Sequence, residues 1–70
     1  MTKIKSFTLN DEIFYTEQNV TLFDMLEYFN YTSSLLVLEH NHLVCHKLNW
    51  KTTFIKNQDQ IEIVSIVGGG

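Results

Sequence analysis

The sequence predicts an α+β domain in which one helix packs on one face of a mixed β-sheet. Three observations carry this reading: two short apolar segments flank Asn10-Asp11-Glu12, one stretch near residues 21–30 has apolar positions at helical spacing, and residues 60–66 alternate strictly. A hairpin, then a helix, then further strands is the order of an α+β domain with its helix gathered on one side.

The elements follow in chain order. Residues 3–9 contain Ile4, Phe7 and Leu9, and Phe7-Thr8-Leu9 alternates as a half-buried strand does. Asn10-Asp11-Glu12 is a turn, because Asn and Asp tolerate positive φ and bond to their own backbone. Ile13-Phe14-Tyr15-Thr16 is β-branched and aromatic, which makes it the returning strand of a hairpin. Glu17-Gln18-Asn19 is a polar loop. Thr21 has the chemistry of a helix N-cap, with Asp24 three residues on in the capping-box position. Leu22, Met25, Leu26 and Phe29 then recur at i, i+3, i+4 and i+7, one apolar stripe of a short helix. Asn30 and the polar run after it end that helix. Leu35-Leu36-Val37-Leu38 is a continuous apolar run, short enough for a strand buried on both faces. Glu39-His40-Asn41-His42 reads as a turn and Leu43-Val44-Cys45 as the next strand. Residues 47–56 have no clean period and are expected to be irregular, held to the core by Trp50 and Phe54. Asn57-Gln58-Asp59 is the last turn. In the final strand Ile61, Ile63 and Ser65 alternate with Glu62, Val64 and Ile66.

Composition narrows the function. The 70 residues are 44% hydrophobic and 19% charged, which is globular. A chain this short buries only about 60% of its unfolded surface, so its core is thin and a pocket of roughly 300 Å³ or more is hard to build. That argues against a self-contained enzyme. The net charge is −3 and every basic residue is Lys. Phosphate neutralisation needs a basic face, so nucleic acid is not an expected partner. A mildly acidic chain suits a partner with a basic docking groove. With Cys45 alone no internal disulfide forms, which fits a reducing compartment. The N-terminal residues lack the apolar core of a secretory signal, and no apolar run reaches membrane-spanning length. Ala, Arg and Pro are absent while Phe, Tyr, Ile, Asn and Lys abound. These are the residues of AT-rich codons, and they point to a plastid stroma or a bacterial cytoplasm.

The chemistry lies at the C-terminus. Gly68, Gly69 and Gly70 are the only glycines, and none is spent on a turn. The expected organisation is a domain over residues 1–66 and a tail over residues 67–70. A terminal carboxylate, with a pKa of about 3.3–3.7, is ionised and a poor electrophile. Transfer of AMP from ATP turns it into a mixed anhydride, and a sulfur nucleophile can then displace AMP to leave a thiocarboxylate. Threading into a partner's active site demands the thinnest backbone, which glycine supplies.

Phe7-Thr8-Leu9-Asn10, Val20-Thr21-Leu22 with Met25-Leu26, Trp50, and above all the run from Asp59 through Gly68-Gly69-Gly70 resemble the ThiS family of sulfur carriers of thiazole (thiamine) biosynthesis. The resemblance covers residues 7–70 and implies the ubiquitin-like β-grasp fold. It also implies that the chain is not an enzyme. A ubiquitin-activating-type enzyme would use ATP to adenylate Gly70, sulfur relayed from cysteine would convert the adenylate to a thiocarboxylate, and thiazole synthase would accept that sulfur. No cofactor is expected to stay bound. The sequence departs from the family pattern in an N-terminal extension over residues 1–6, in Cys45-His46, where Pro and a basic residue are common, and in one extra residue between Val44 and Trp50. Two rival readings share the fold: the small subunit of molybdopterin synthase, and a ubiquitin-like modifier or non-covalent binding module.

His40, His42, Cys45 and His46 fall within seven residues. Their spacing lacks the paired turn-separated ligands of a structural zinc site, so the expectation is a solvated polar turn with no metal. Cys45, in an apolar strand, is expected to be a small core residue, because a reactive thiol needs an electropositive setting. Trp50 is expected in the core.

Overall fold

The computed structural model describes residues 3–31 and 35–65. Its elements are β1 (Lys5–Leu9), β2 (Glu12–Thr16), α1 (Leu22–Tyr28), β3 (Leu36–His40), β4 (Leu43–Val44), a 3₁₀ turn (Lys47–Asn49) and β5 (Asp59–Ser65). The strands form one sheet in the order β2-β1-β5-β3-β4. β1 and β5 are parallel, and the remaining pairs are antiparallel. The element order and the mixed sheet follow the expectation.

The hairpin closes where the sequence places its turn. Leu9 pairs with Glu12, and Asn10 and Asp11 between them take φ of 49° and 69°. Two successive positive φ values match the right-handed twist of the flanking strands. The second hairpin repeats the device: His40 pairs with Leu43 across Asn41 and His42, with φ of 53° and 69°.

Helix α1 begins with its free amide groups satisfied. The Leu22 N–H donates to the Thr53 carbonyl and the Phe23 N–H to the Trp50 carbonyl. Thr21 Oγ1 accepts from the Asp24 N–H at 3.1 Å, and the Asp24 carboxylate accepts from the Thr21 N–H at 3.0 Å. This reciprocal capping box is the one the sequence signals. At the other end the Asn30 and Tyr31 N–H groups donate to the Glu27 and Leu26 carbonyls, with Asn30 at φ 62°. That is a Schellman stop with Asn in the left-handed position.

The core lies between the helix and one sheet face. Phe7, Leu9, Leu38, Ile61 and Ile63 rise from the strands to meet Leu22, Met25 and Leu26, with Trp50 and Ile55 closing one side. Leu22 and Ile61 are fully inaccessible, and each such side chain contributes about 1.5–3 kcal/mol relative to exposure. Phe29 meets Phe14 edge to face at 4.8 Å.

The structure corrects the expectation at four points. The run 35–38 is not buried on both faces: only one sheet face carries a helix, so Leu38 is buried, Val37 is half-buried, and Leu35 precedes the strand and is 51% exposed. Glu39 and His40 belong to β3, and the turn is confined to Asn41 and His42. Cys45 follows β4 and is half-buried beside the core. Phe54 is 51% exposed and Ile55 takes the core position. Phe54 bridges to Thr21 and the Ile55 N–H donates to the Val20 carbonyl, so strand-like alternation turns one side chain out and the next one in.

Candidate functional site

The site is built on β5, the strand that leads into the glycine tail. β5 has hydrogen-bonded neighbours on both sides, β1 and β3. Its pairing with β1 ends at Leu9–Ile61, while pairing with β3 continues to Leu36–Ser65. Where β1 turns away, Asn10 takes over its role. The Asn10 N–H donates to the Ile61 carbonyl at 2.9 Å, and Asn10 Oδ1 accepts from the Ile63 N–H at 2.8 Å. Asn41 does the same on the β3 side, donating its N–H to the Gln60 carbonyl at 2.7 Å and accepting the Gln60 N–H on Oδ1 at 2.8 Å.

Asp59 anchors the start of β5. It is 6% exposed. Its Oδ2 accepts from the Lys56 N–H at 2.8 Å and lies 2.6 Å from His40 Nε2, while Oδ1 accepts from Asn41 Nδ2 at 3.0 Å. Burial pushes the carboxyl pKa up, but the bonds from His40, Lys56 and Asn41 favour the ionised form more strongly and hold it below the usual value of 3.8. Sequence reading left Asp59 in a turn. The only signal available was an acidic residue one place before an alternating strand.

The His and Cys residues go separate ways. His40 is committed to Asp59, and His42 sits in the turn. His46 caps the 3₁₀ turn. Cys45 Sγ lies 4.0 Å from Thr53 Oγ1, and the Cys45 carbonyl accepts from Trp50 Nε1 at 2.8 Å. Trp50 is buried as expected, and this bond explains how its indole N–H is satisfied there. Among the described residues no three His, Cys, Asp or Glu side chains converge as metal ligands would.

One expectation about cavities is corrected. A groove of about 490 Å³ opens between β2 and α1, lined by Phe7, Phe14, Tyr15, Met25, Tyr28 and Phe29. It lies beside the edge strand β2, where no further element among the described residues closes the gap beside the helix. It lies on the helix side of the sheet, two strands from β5. The tail residues Gly68, Gly69 and Gly70, and the whole of residues 66–70, lie outside the described residues.

A sequence profile described as the ThiS family matches residues 2–70. The chain belongs to the ThiS family. The match starts at residue 2, so residues 2–6, read above as an extension, fall within the family pattern. Lys5 and Ser6 are strand residues paired with Thr16 and Tyr15. Among similar proteins is one named ycf40 in Trieres chinensis, 52% identical over 73 residues and covering all of both chains. Another of that name in Porphyra purpurea is 32% identical, covering 93% of this chain and 92% of its own. The crystal structure of the thiamine biosynthesis protein ThiS from Geobacter metallireducens superposes with a TM-score of 0.78 at 19% identity. It covers 93% of this chain and 99% of that one, and it shows the ThiS-like β-grasp fold in this family member. Among the described residues no helix is long and apolar enough to cross a membrane.

Proposed function

We propose that this ThiS-family chain carries sulfur on its own C-terminal carboxylate for thiazole formation in thiamine biosynthesis. A ubiquitin-activating-type enzyme transfers AMP from ATP to the Gly70 carboxylate and releases pyrophosphate. A sulfur nucleophile then attacks the carbonyl, AMP leaves, and the thiocarboxylate delivers its sulfur to thiazole synthase. The chain is the protein substrate in these steps and not the enzyme, and ATP is bound by the activating partner. The family match that runs through Gly68-Gly69-Gly70 carries the reading. The fold supports it, because the tail continues directly from a strand bonded on both sides. The amino-acid bias towards AT-rich codons and the ycf40 relatives from algae favour the plastid stroma as the place of action.

The test is removal of Gly70, or addition of one residue after it. A reacting carbonyl must lie about 3–3.5 Å from its attacker, and one residue shifts the terminus by about 3.3–3.6 Å. Both variants should fold normally and lose adenylation. In the intact protein, tandem mass spectrometry should place the exchange of one oxygen for one sulfur on Gly70. A Gly70-deleted chain that is still adenylated and still supplies thiazole sulfur at the normal rate would refute the proposal.

A further inference from the structure

The two edges of the sheet are built differently. In the order β2-β1-β5-β3-β4 the outer strands are β2 and β4. β4 has two residues, and a very short edge strand gives another chain little to pair with. β2 has five residues, and its register with β1 runs from Glu12 to Thr16 without a bulge. It contains no Lys and no Pro, the residues that commonly guard an edge. Among the described residues no strand lies outside it.

The free side of β2 has a defined pattern. A two-residue hairpin turn closes on a hydrogen-bonded pair, here Leu9–Glu12, and bonded and non-bonded pairs then alternate along the ladder. Glu12, Phe14 and Thr16 therefore turn their backbone groups to β1, while Ile13 and Tyr15 turn theirs outward. The Ile13 and Tyr15 side chains are 62% and 70% exposed. Phe14 lies 5.9 Å from Phe7 and 4.8 Å from Phe29, so a file of rings ends at this edge beside the groove. Tyr28, on the helix side of that groove, is 80% exposed.

We propose that β2 is an association edge to which a second copy of this chain adds, antiparallel, across a two-fold axis at Phe14. The strand is self-complementary in that register. Ile13 faces the partner's Tyr15, and each presents its N–H and C=O to the other. Phe14 faces the partner's Phe14, which continues the file of rings and joins the two grooves between the helices. Aromatic–aromatic and aromatic–β-branched pairs are the favourable ones across strands. Glu12, the one charged residue of the strand, faces the partner's Thr16. Asp11 and Glu17 oppose each other only beyond the ladder, at the turn and the bend. The contact is isologous and closes on itself, because the joined sheet has only the two-residue β4 strands at its ends. The inference does not depend on the carrier reading: β5 is the third strand in from this edge and takes no part in the pairing.

Sedimentation equilibrium of the wild-type chain should show a monomer–dimer equilibrium, and amide exchange at Ile13 and Tyr15 should slow as the dimer fills. Ile13→Pro deletes an outward N–H and spares every bond to β1, as a proline on an edge strand can. With its fold confirmed by circular dichroism, it should weaken association on the order of tenfold. Glu17→Lys sets an opposite charge against the partner's Asp11 at both ends of the ladder and should tighten association on the order of fivefold. Glu62→Lys makes the same charge change on β5 and should leave the dissociation constant at the wild-type value. A wild-type chain still monomeric at about 1 mM overturns the proposal. So does a dimer in which the Ile13 and Tyr15 amides exchange at the monomer's rate, or one that Glu17→Lys weakens or Glu62→Lys tightens as much. Protection of those amides only on adding an extended peptide of another protein overturns it as well, because the edge would then serve a different partner.

Discussion

Replacing Asp59 with Ala removes the acceptor on which three donors converge at the start of β5. A hydrogen bond to an ionised acceptor contributes about 1.5–3 kcal/mol when fully buried. Asn41 and Lys56 are exposed, and the His40 side chain is 20% accessible, so water replaces part of what each donor loses. The expected cost is therefore about 2–3 kcal/mol rather than the sum of three full bonds. In a domain of this size that lowers the melting temperature by roughly 10–20 °C. The pH dependence carries a sign. The folded pKa lies below 3.8, so the unfolded chain takes up this proton first as pH falls. The contribution of Asp59 is fully present above 3.8 and is lost as pH drops through that value towards the folded pKa. Thermal melts followed by circular dichroism, for wild type and Asp59→Ala across that range, provide the assay. A variant within about 3 °C of wild type at neutral pH, or a gap between the two that stays constant through pH 3.8, would refute the reasoning.

Two further outcomes test the scaffold. Leu26→Ala removes a side chain only 3% exposed between helix and sheet and should cost about 2–5 kcal/mol, read as a lowered denaturant midpoint. Asn10→Gly keeps the positive φ but deletes the acceptor for the Ile63 N–H, costing about 1 kcal/mol. Asn10→Ala adds left-handed strain of about 1–2 kcal/mol, and equal melting temperatures for the two variants would count against the turn assignment.

Much of the scaffold is legible in the residues because its signals are local. The Thr21–Asp24 capping box, the apolar stripe of Leu22, Met25 and Leu26, and the alternation of Ile61 and Ile63 each rest on spacing within a few residues. What escapes reading depends on partners far away in sequence. Asp59 acquires its role from His40 and Asn41, 19 and 18 residues earlier, and Asn10 acquires its role from Ile63, 53 residues later. A polar side chain that substitutes for a strand's backbone looks like any other turn residue until the topology is known. Phe54 misleads for a related reason: Phe54 and Ile55 are both large and apolar, and the bridge to Thr21 decides which of the two faces inward. The resemblance to the ThiS family rests on the glycine tail and on β5, which is why it survives errors of assignment between Leu35 and Ile55.

The distribution of positive φ connects scaffold and tail. The body of the domain bends through the left-handed region at Asn10, Asp11, Asn30, Asn41, His42 and Gln58, and none of these is glycine. Non-glycine residues hold that conformation at a cost, least for Asn and Asp. Two of the three Asn and Asp residues at the turn positions of the two hairpins also return a benefit, because the side chains of Asn10 and Asn41 complete the ladder on β5 and the Asn41 amide reaches Asp59. The bonds to β3, to β1, to Asn10 and to Asn41 hold β5 in the sheet. A glycine in place of Asn10 or Asn41 would turn the chain with less strain, keep the backbone bond to β5, and lose the side-chain acceptor for the Ile63 or Gln60 N–H. The same residue choice that denies the turns their glycine therefore ties down the strand that bears the tail.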